Sequence, residues 1–306
     1  MSFINSSSFS SILTYENQLD KDKFLTKNIF PRENISFVIT SLSEEEENPY
    51  LNYFKINNIQ LNPFYLISDI SKDVDLIVFF LKSLGLKAKI DIRSYIIDVY
   101  TVLGVNTTFI AIAEFLSLQD DDEARLASLE IFSIFSSVFR LELSNNNNTL
   151  YQFQSNISLN IYGVDEDNSS FVLRLVLLNA FLCLNSKVNK LGGILILDDI
   201  TNYLSKQNDI YYINQMEKIF IKHSLVSLMV IYNSFFHKEY SLNYVDLLEL
   251  VDFKIFFKQA IDYNFSIYQS HGFSKFEAFE IVNGIIELES DQYLILTHRR
   301  VTIVDL

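Results

Sequence analysis

Residues 192–204 read GGILILDDITNYL, four apolar residues in a row running into the adjacent carboxylates Asp198 and Asp199. An unbroken apolar strand is the pattern of one buried on both faces, as in a parallel sheet covered by helices. Two acids at its carboxyl end have two readings. They can fix a magnesium-bound water and orient an attacking one at the edge of a nucleotide-hydrolysing sheet, or they can cap the helix that follows. The next strand, LVSLMVIYNSFF (225–236), is expected to lie beside the first and ends in Asn233-Ser234, where a polar residue could sense a terminal phosphate.

Working outward, the C-terminal half alternates. QSNISLNIYGV (154–164) is strand-like and residues 170–185 are helical. After GGILILDD come a helix at 210–224, the strand at 225–233, a helix at 242–251 and the strand FKIFFK at 253–258. Strands separated by helices of this length imply a mainly parallel sheet with helices on both faces. FSKFEAFEIVNG (273–284) has a capping box in Ser274 and Glu277, and Asn283-Gly284 as its expected stop. QYLILTHRRVTIVDL (292–306) closes as two strands around a polar turn.

Upstream, ISFVIT (35–40) suits a buried strand. From Asp69 to about Arg140 the period turns helical: DISKDVDLIVFFLKSLG opens on cap-type residues and stops at Gly85, and LQDDDEARLASLEIFSIFSSVFRLEL opens on acids suited to a helix start. The expected organisation is a polar, partly disordered segment at 1–30, an α/β domain at 31–66 and 151–306, and an inserted all-helical subdomain at 67–150.

Composition narrows the function classes. The chain has 306 residues, 49% hydrophobic, enough for a large core. A formal net charge of −14 argues against a protein built to hold nucleic acid by its phosphates, and leaves room only for a local basic groove. The acidic run Glu44–Glu47 reads as a solvated loop. The single cysteine, Cys183, rules out an internal disulfide, and its apolar helical neighbours make it a buried thiol. His223, His237, His271 and His298 have no metal-ligand spacing. There is no signal-like start, and the most apolar windows fall short of the roughly 20 residues a spanning helix needs.

In order and spacing these segments resemble the C-terminal RecA-like domain of the assembly ATPases of conjugative transfer and type IV secretion, the VirB-type motors, over residues 35–306. The motifs that carry the likeness are FVITSLSEEEENPY (37–50), LNPF (61–64), the helical insertion, SLNIYGVDEDNSSFVLRLVLLNAF (158–181), GGILILDD at the family's Asp-Glu, VIYNSFF at its Thr-Gln-Ser, and the IYQSHGFSKFEAFEIVNGI helix with its terminal hairpin. The resemblance implies a RecA-like, P-loop-NTPase-type mainly parallel sheet with an inserted helical subdomain. It gives Asp198 and Asp199 the role of a degenerate acid pair (Asp198 the magnesium ligand, if nucleotide binds) and Asn233 that of a degenerate sensor. Lys222, Arg299 and Arg300 become candidate interface residues.

The departures from the family fall on catalysis. A GxxxxGK[ST] loop needs glycines so that backbone N–H groups can reach the phosphates, and NSSSFSSILTYENQLDKDK (5–23) has none. Asp199 is one methylene shorter than the family's Glu, Asn233 replaces Gln, and Lys222-His223 stands for an arginine pair whose planar fork a lysine cannot reproduce. The expectation is therefore a cytoplasmic pseudo-ATPase, peripheral to the inner membrane at most. It would have no ATP–magnesium cofactor or a retained but uncleaved one, and would be oligomeric or docked on protein partners such as an active homologous ATPase. The rival readings are an ATPase completed by a partner chain and an unrelated α/β scaffold.

Overall fold

Strand pairing organises the molecule around GILILD. In the computed structural model, which describes residues 10–15, 18–30, 35–41, 49–56, 61–136, 156–164, 166–187, 193–200, 209, 211–213, 215–216, 218, 226–233, 251–257, 269, 273–289, 291–297 and 300–305, nine strands are assigned. They are β1 (Ser10–Tyr15), β2 (Ile35–Thr40), β3 (Asn52–Lys55), β4 (Ile157–Asn160), β5 (Gly193–Asp198), β6 (Val226–Asn233), β7 (Phe253–Phe257), β8 (Gln292–Thr297) and β9 (Arg300–Asp305). Their order in one sheet is β3-β4-β2-β5-β6-β1-β7-β8-β9. The ladders β4–β2, β2–β5, β5–β6, β6–β1 and β1–β7 are parallel, while β7–β8 and β8–β9 are antiparallel.

The chain divides into two compact units: Met1–Tyr53 with Ser155–Tyr162 and Val188–Leu306, and Phe54–Gln154 with Gly163–Lys187. The first holds the sheet. All six residues of β5 are buried, as its apolar run requires. Helix α1 (Gln18–Asn28) packs on one face, where Phe24 meets Phe257 and Tyr293 edge-on at centroid distances of 5.7 and 5.1 Å. Leu13, Ile194, Ile196, Met229 and Ile231 fill the same layer. A C-terminal helix (Lys275–Glu287; α7 below) covers the other face.

The second unit is helical: α2 (Ile70–Ser83), α3 (Ile92–Leu103), α4 (Phe109–Ser117), α5 (Asp122–Ser136) and α6 (Glu166–Lys187). Asp69 caps α2 by accepting from the Ser71 N–H, and Gly85 follows it at φ 105°, a left-handed angle that glycine adopts without cost. The rings of Phe80, Phe109, Phe135 and Phe171 form its core, with Phe109 stacked on Phe135 at 4.3 Å. Buried Asp73 accepts from the Ser68 and Asp69 N–H groups and from Asn185 Nδ2 at 2.9, 3.2 and 3.0 Å. Burial, and secondarily the Asp73 charge, pushes the Tyr100 hydroxyl above its ordinary value.

Helix α6 contains Asn168–Asn185, long and apolar enough by composition to cross a membrane, but 78% of that stretch is buried inside the protein. It is a core helix of this unit, and Cys183 is buried within it.

Three expectations need correction. Within the segment expected to be polar and partly disordered at 1–30, residues 10–15 and 18–28 form β1 and α1: β1 is a central strand, held by backbone ladders to β6 and β7 on its two sides. The helical unit is larger than 67–150, because α6 belongs to it. The capping box of Ser274 and Glu277 is present, but α7 (Lys275–Glu287) runs through Asn283-Gly284 instead of stopping there. Gly284 serves close packing: a Cβ at this position would sit 2.0 Å from Leu294 Cδ1 of β8. The Glu44–Glu47 run, most of the 210–224 and 242–251 helices and all four histidines lie outside the described residues.

Candidate functional site at the carboxyl edge of the sheet

In an open α/β sheet, ligands are met at the carboxyl ends of the strands where the chain reverses its winding direction. The chain leaves β1 toward β2, beyond β6 and β5, and later returns to β7 on the opposite side of β1. That edge is therefore where Tyr15, Asp198 and Asn233 end their strands. Register places Asp198 opposite Thr40 of β2 and Ile231 of β6, and Asn233 opposite Tyr15 of β1. The two neighbouring strands predicted to end in Asp198-Asp199 and Asn233 do so.

Alternation along β5 turns Ile194, Ile196 and Asp198 toward the α1 layer. There the Asp198 carboxylate meets Lys21, from the first turn of α1, with Nζ 2.7 Å from Oδ2. The two side chains are only 2% and 8% exposed. Asp22 lies 3.9 Å from the same ammonium. The second oxygen of Asp198, Oδ1, is buried with no hydrogen-bond partner. Lys21 escaped the sequence reading because the pattern at the start of α1 is inverted: Leu19 is 53% exposed while the lysine is inside. The only local signal was a lysine in the first turn after a strand.

Asp199 continues the edge through its backbone. Its N–H donates to the Ile231 carbonyl at 3.0 Å and its own carbonyl accepts from the Ser41 hydroxyl. Its φ of 53° is left-handed, a conformation that Asp visits more readily than most residues. Asn233 is described by its place in the ladder alone, Arg300 by its place as the first residue of β9, and Lys222 and Arg299 lie outside the described residues.

Two features of this edge are unlike a magnesium–nucleotide site. A phosphate cradle needs several successive backbone N–H groups presented by glycines, yet only Glu16 and Asn17 separate β1 from α1. Neither is glycine, and one is an anion. One of the two carboxylate oxygens of Asp198, Oδ2, is engaged by an ammonium at 2.7 Å. Among the described residues no group of three or more His, Cys, Asp or Glu side chains could hold a metal ion. The arrangement performs charge compensation: an acid that would be costly to bury alone is neutralised by a lysine of the same chain.

No family model matches the chain, and no curated protein matches it. Solved structures do. VirB4 of Thermoanaerobacter pseudethanolicus matches with a TM-score of 0.60 at 13% identity, over 97% of this chain and 88% of that one. The bacterial conjugative coupling protein TrwBdeltaN70, in its unbound form, matches with a TM-score of 0.51 at 10% identity, over 98% of this chain and 85% of that one. The chain has the RecA-like P-loop ATPase fold. At these identities the likeness is one of fold.

Proposed function

We propose that this chain is a non-hydrolysing, ATPase-like subunit of a conjugation or type IV secretion-type transport complex, serving as a structural and docking component. The observation that carries the reading is the buried Lys21–Asp198 pair beside a strand–helix joint of two residues, neither of them glycine. A RecA-like sheet with that joint retains the framework of a motor and replaces its phosphate contacts with an internal ion pair. The fold it has in common with VirB4 and a conjugative coupling protein supports the setting. Protein partners, including an active homologous ATPase, would meet the chain on the cytoplasmic side, peripheral to the membrane.

Phosphate release by the purified chain in ATP and magnesium tests this. The expected rate is that of the protein-free control. Steady turnover that disappears in Asp198→Ala would overturn the proposal.

One observation favours a second reading, an ATPase completed in trans: the partnerless, buried Oδ1 of Asp198 is an acceptor that another chain's donor or cation could satisfy. Hydrolysis that appears only on adding a partner chain, and is lost again in Asp198→Ala, would select it.

A further inference from the structure

Asn283-Gly284 is the single Asn-Gly pair of the chain, and it lies inside α7 instead of after it. That pair carries a specific chemistry. The backbone nitrogen of the residue after an asparagine can attack the asparagine's side-chain carbonyl carbon, and glycine, which has no Cβ and the freest backbone, obstructs the attack least. Asparagine counts among the thermolabile residues.

The structure supplies both the reason for the glycine and the reason the pair is quiet. A side chain at 284 would bring its Cβ to 2.0 Å from Leu294 Cδ1, so the approach of β8 demands glycine there. Gly284 and Ile285 are buried, while Asn283 is exposed to water. Within an α-helix the Gly284 N–H is committed to the carbonyl four residues earlier, and the helical ψ of Asn283 holds that nitrogen away from the Asn283 side chain. Closed, α7 blocks the attack. Open, it presents an unhindered Asn-Gly to solvent.

We propose that Asn283-Gly284 is a latent deamidation site, inert while α7 is folded and reactive when the helix opens. The Gly284 nitrogen gives up its proton and bonds to Asn283 Cγ, the Cγ–Nδ2 bond breaks, and the side-chain amide nitrogen leaves as ammonia. Water then opens the cyclic imide at either carbonyl, giving aspartate or isoaspartate. No oxidant, reductant or cofactor takes part. Either product puts a new carboxylate at exposed position 283. Isoaspartate also adds a methylene to the backbone next to the residue pressed against Leu294, which breaks the helical ladder and keeps α7 from re-forming. The close packing of β8 on Gly284 therefore builds an irreversible record of α7 opening into the sheet unit. It needs no nucleotide and is independent of the role proposed above.

Peptide mapping by mass spectrometry tests this on the full chain aged at neutral pH, either folded or held unfolded in urea. Conversion of Asn283 should be about tenfold or more slower in the folded chain, because the reaction waits on a minor, open population. Ser274→Ala removes the N-cap at the far end of α7 and should raise the folded-chain rate about fivefold, with the unfolded-chain rate unchanged. Circular dichroism confirms that the variant is folded. Hydrogen exchange of chains carrying isoaspartate at 283 should show the α7 amides unprotected. A folded rate equal to the unfolded one overturns the proposal. So does a folded rate, zero included, that Ser274→Ala leaves unmoved, or an isoaspartate chain whose α7 is as protected as before.

Discussion

Replacing Lys21 by methionine keeps the apolar stem and removes the ammonium that lies 2.7 Å from Asp198. The carboxylate left behind is 8% exposed, and its other oxygen already has no partner. Breaking a buried pair by deleting one member costs about 3–5 kcal/mol, because the remaining charge is uncompensated. Replacing both members with apolar groups is about neutral, or stabilising by 1–4 kcal/mol. Lys21→Met should therefore be severe, and Lys21→Met/Asp198→Leu should recover most of the loss. Peptide-resolved hydrogen exchange reads the sheet unit apart from the helical one. Protection of the β1 and β5 amides should fall by about two to three and a half powers of ten in the single variant and return in the double. A single variant within about 0.5 kcal/mol of wild type, the range of an ordinary surface substitution, would refute the reasoning. That lysine would then be a dispensable side chain waiting for a ligand and not a structural counter-ion.

Two further outcomes rest on α7. Glu277 accepts from the Ser274 N–H at 2.9 Å and lies 3.2 Å from the buried Lys254 ammonium. Burial pushes its carboxyl up, but the Ser274 and Lys254 contacts outweigh this and hold it below its ordinary value of 4.5. A lowered folded pKa makes the contribution fully present above that ordinary value and lost as pH falls through the folded one. Glu277→Gln should thus melt below wild type at neutral pH, with the gap closing as the solution is acidified; a gap that widens in acid contradicts the assignment. Gly284→Ala forces a methyl to 2.0 Å from the buried Leu294 Cδ1, and overpacking of this kind costs about 1–3 kcal/mol. Thermal melts of Gly284→Ala, Leu294→Ala and the double variant should be non-additive in the rescuing direction.

The apolar strands and the well-capped helices were legible because their local chemistry agrees with their tertiary role. ILIL is buried on both faces, Asp69 and Gly85 bracket α2, and Ser274 with Glu277 opens α7. What stayed hidden was decided by partners far away in sequence. SSILTY has too few apolar residues to announce a central strand, and its order comes from ladders to β6 and β7, more than 200 residues downstream. Helix α1 reads as an exposed polar segment because its lysine is inside and its first leucine outside, an inversion that makes sense only once Asp198 is beside it. Asn283-Gly284 has the composition of a helix stop, yet the glycine is there for the approach of β8. The strand was read to its end at Asp198, while the lysine that engages this acid lies in the segment expected to be polar and partly disordered.

The central claim is that an internal ammonium occupies the place where a RecA-like sheet would hold nucleotide and its metal. The most direct measurement is the melting temperature of the sheet unit with and without saturating ATP and magnesium. A ligand at 100 times its dissociation constant stabilises the native state by about 2.7 kcal/mol, which a melt of this chain resolves. The account predicts superimposable curves for the wild-type chain. A reproducible upward shift with ATP and magnesium that is abolished in Lys21→Met/Asp198→Leu would contradict it.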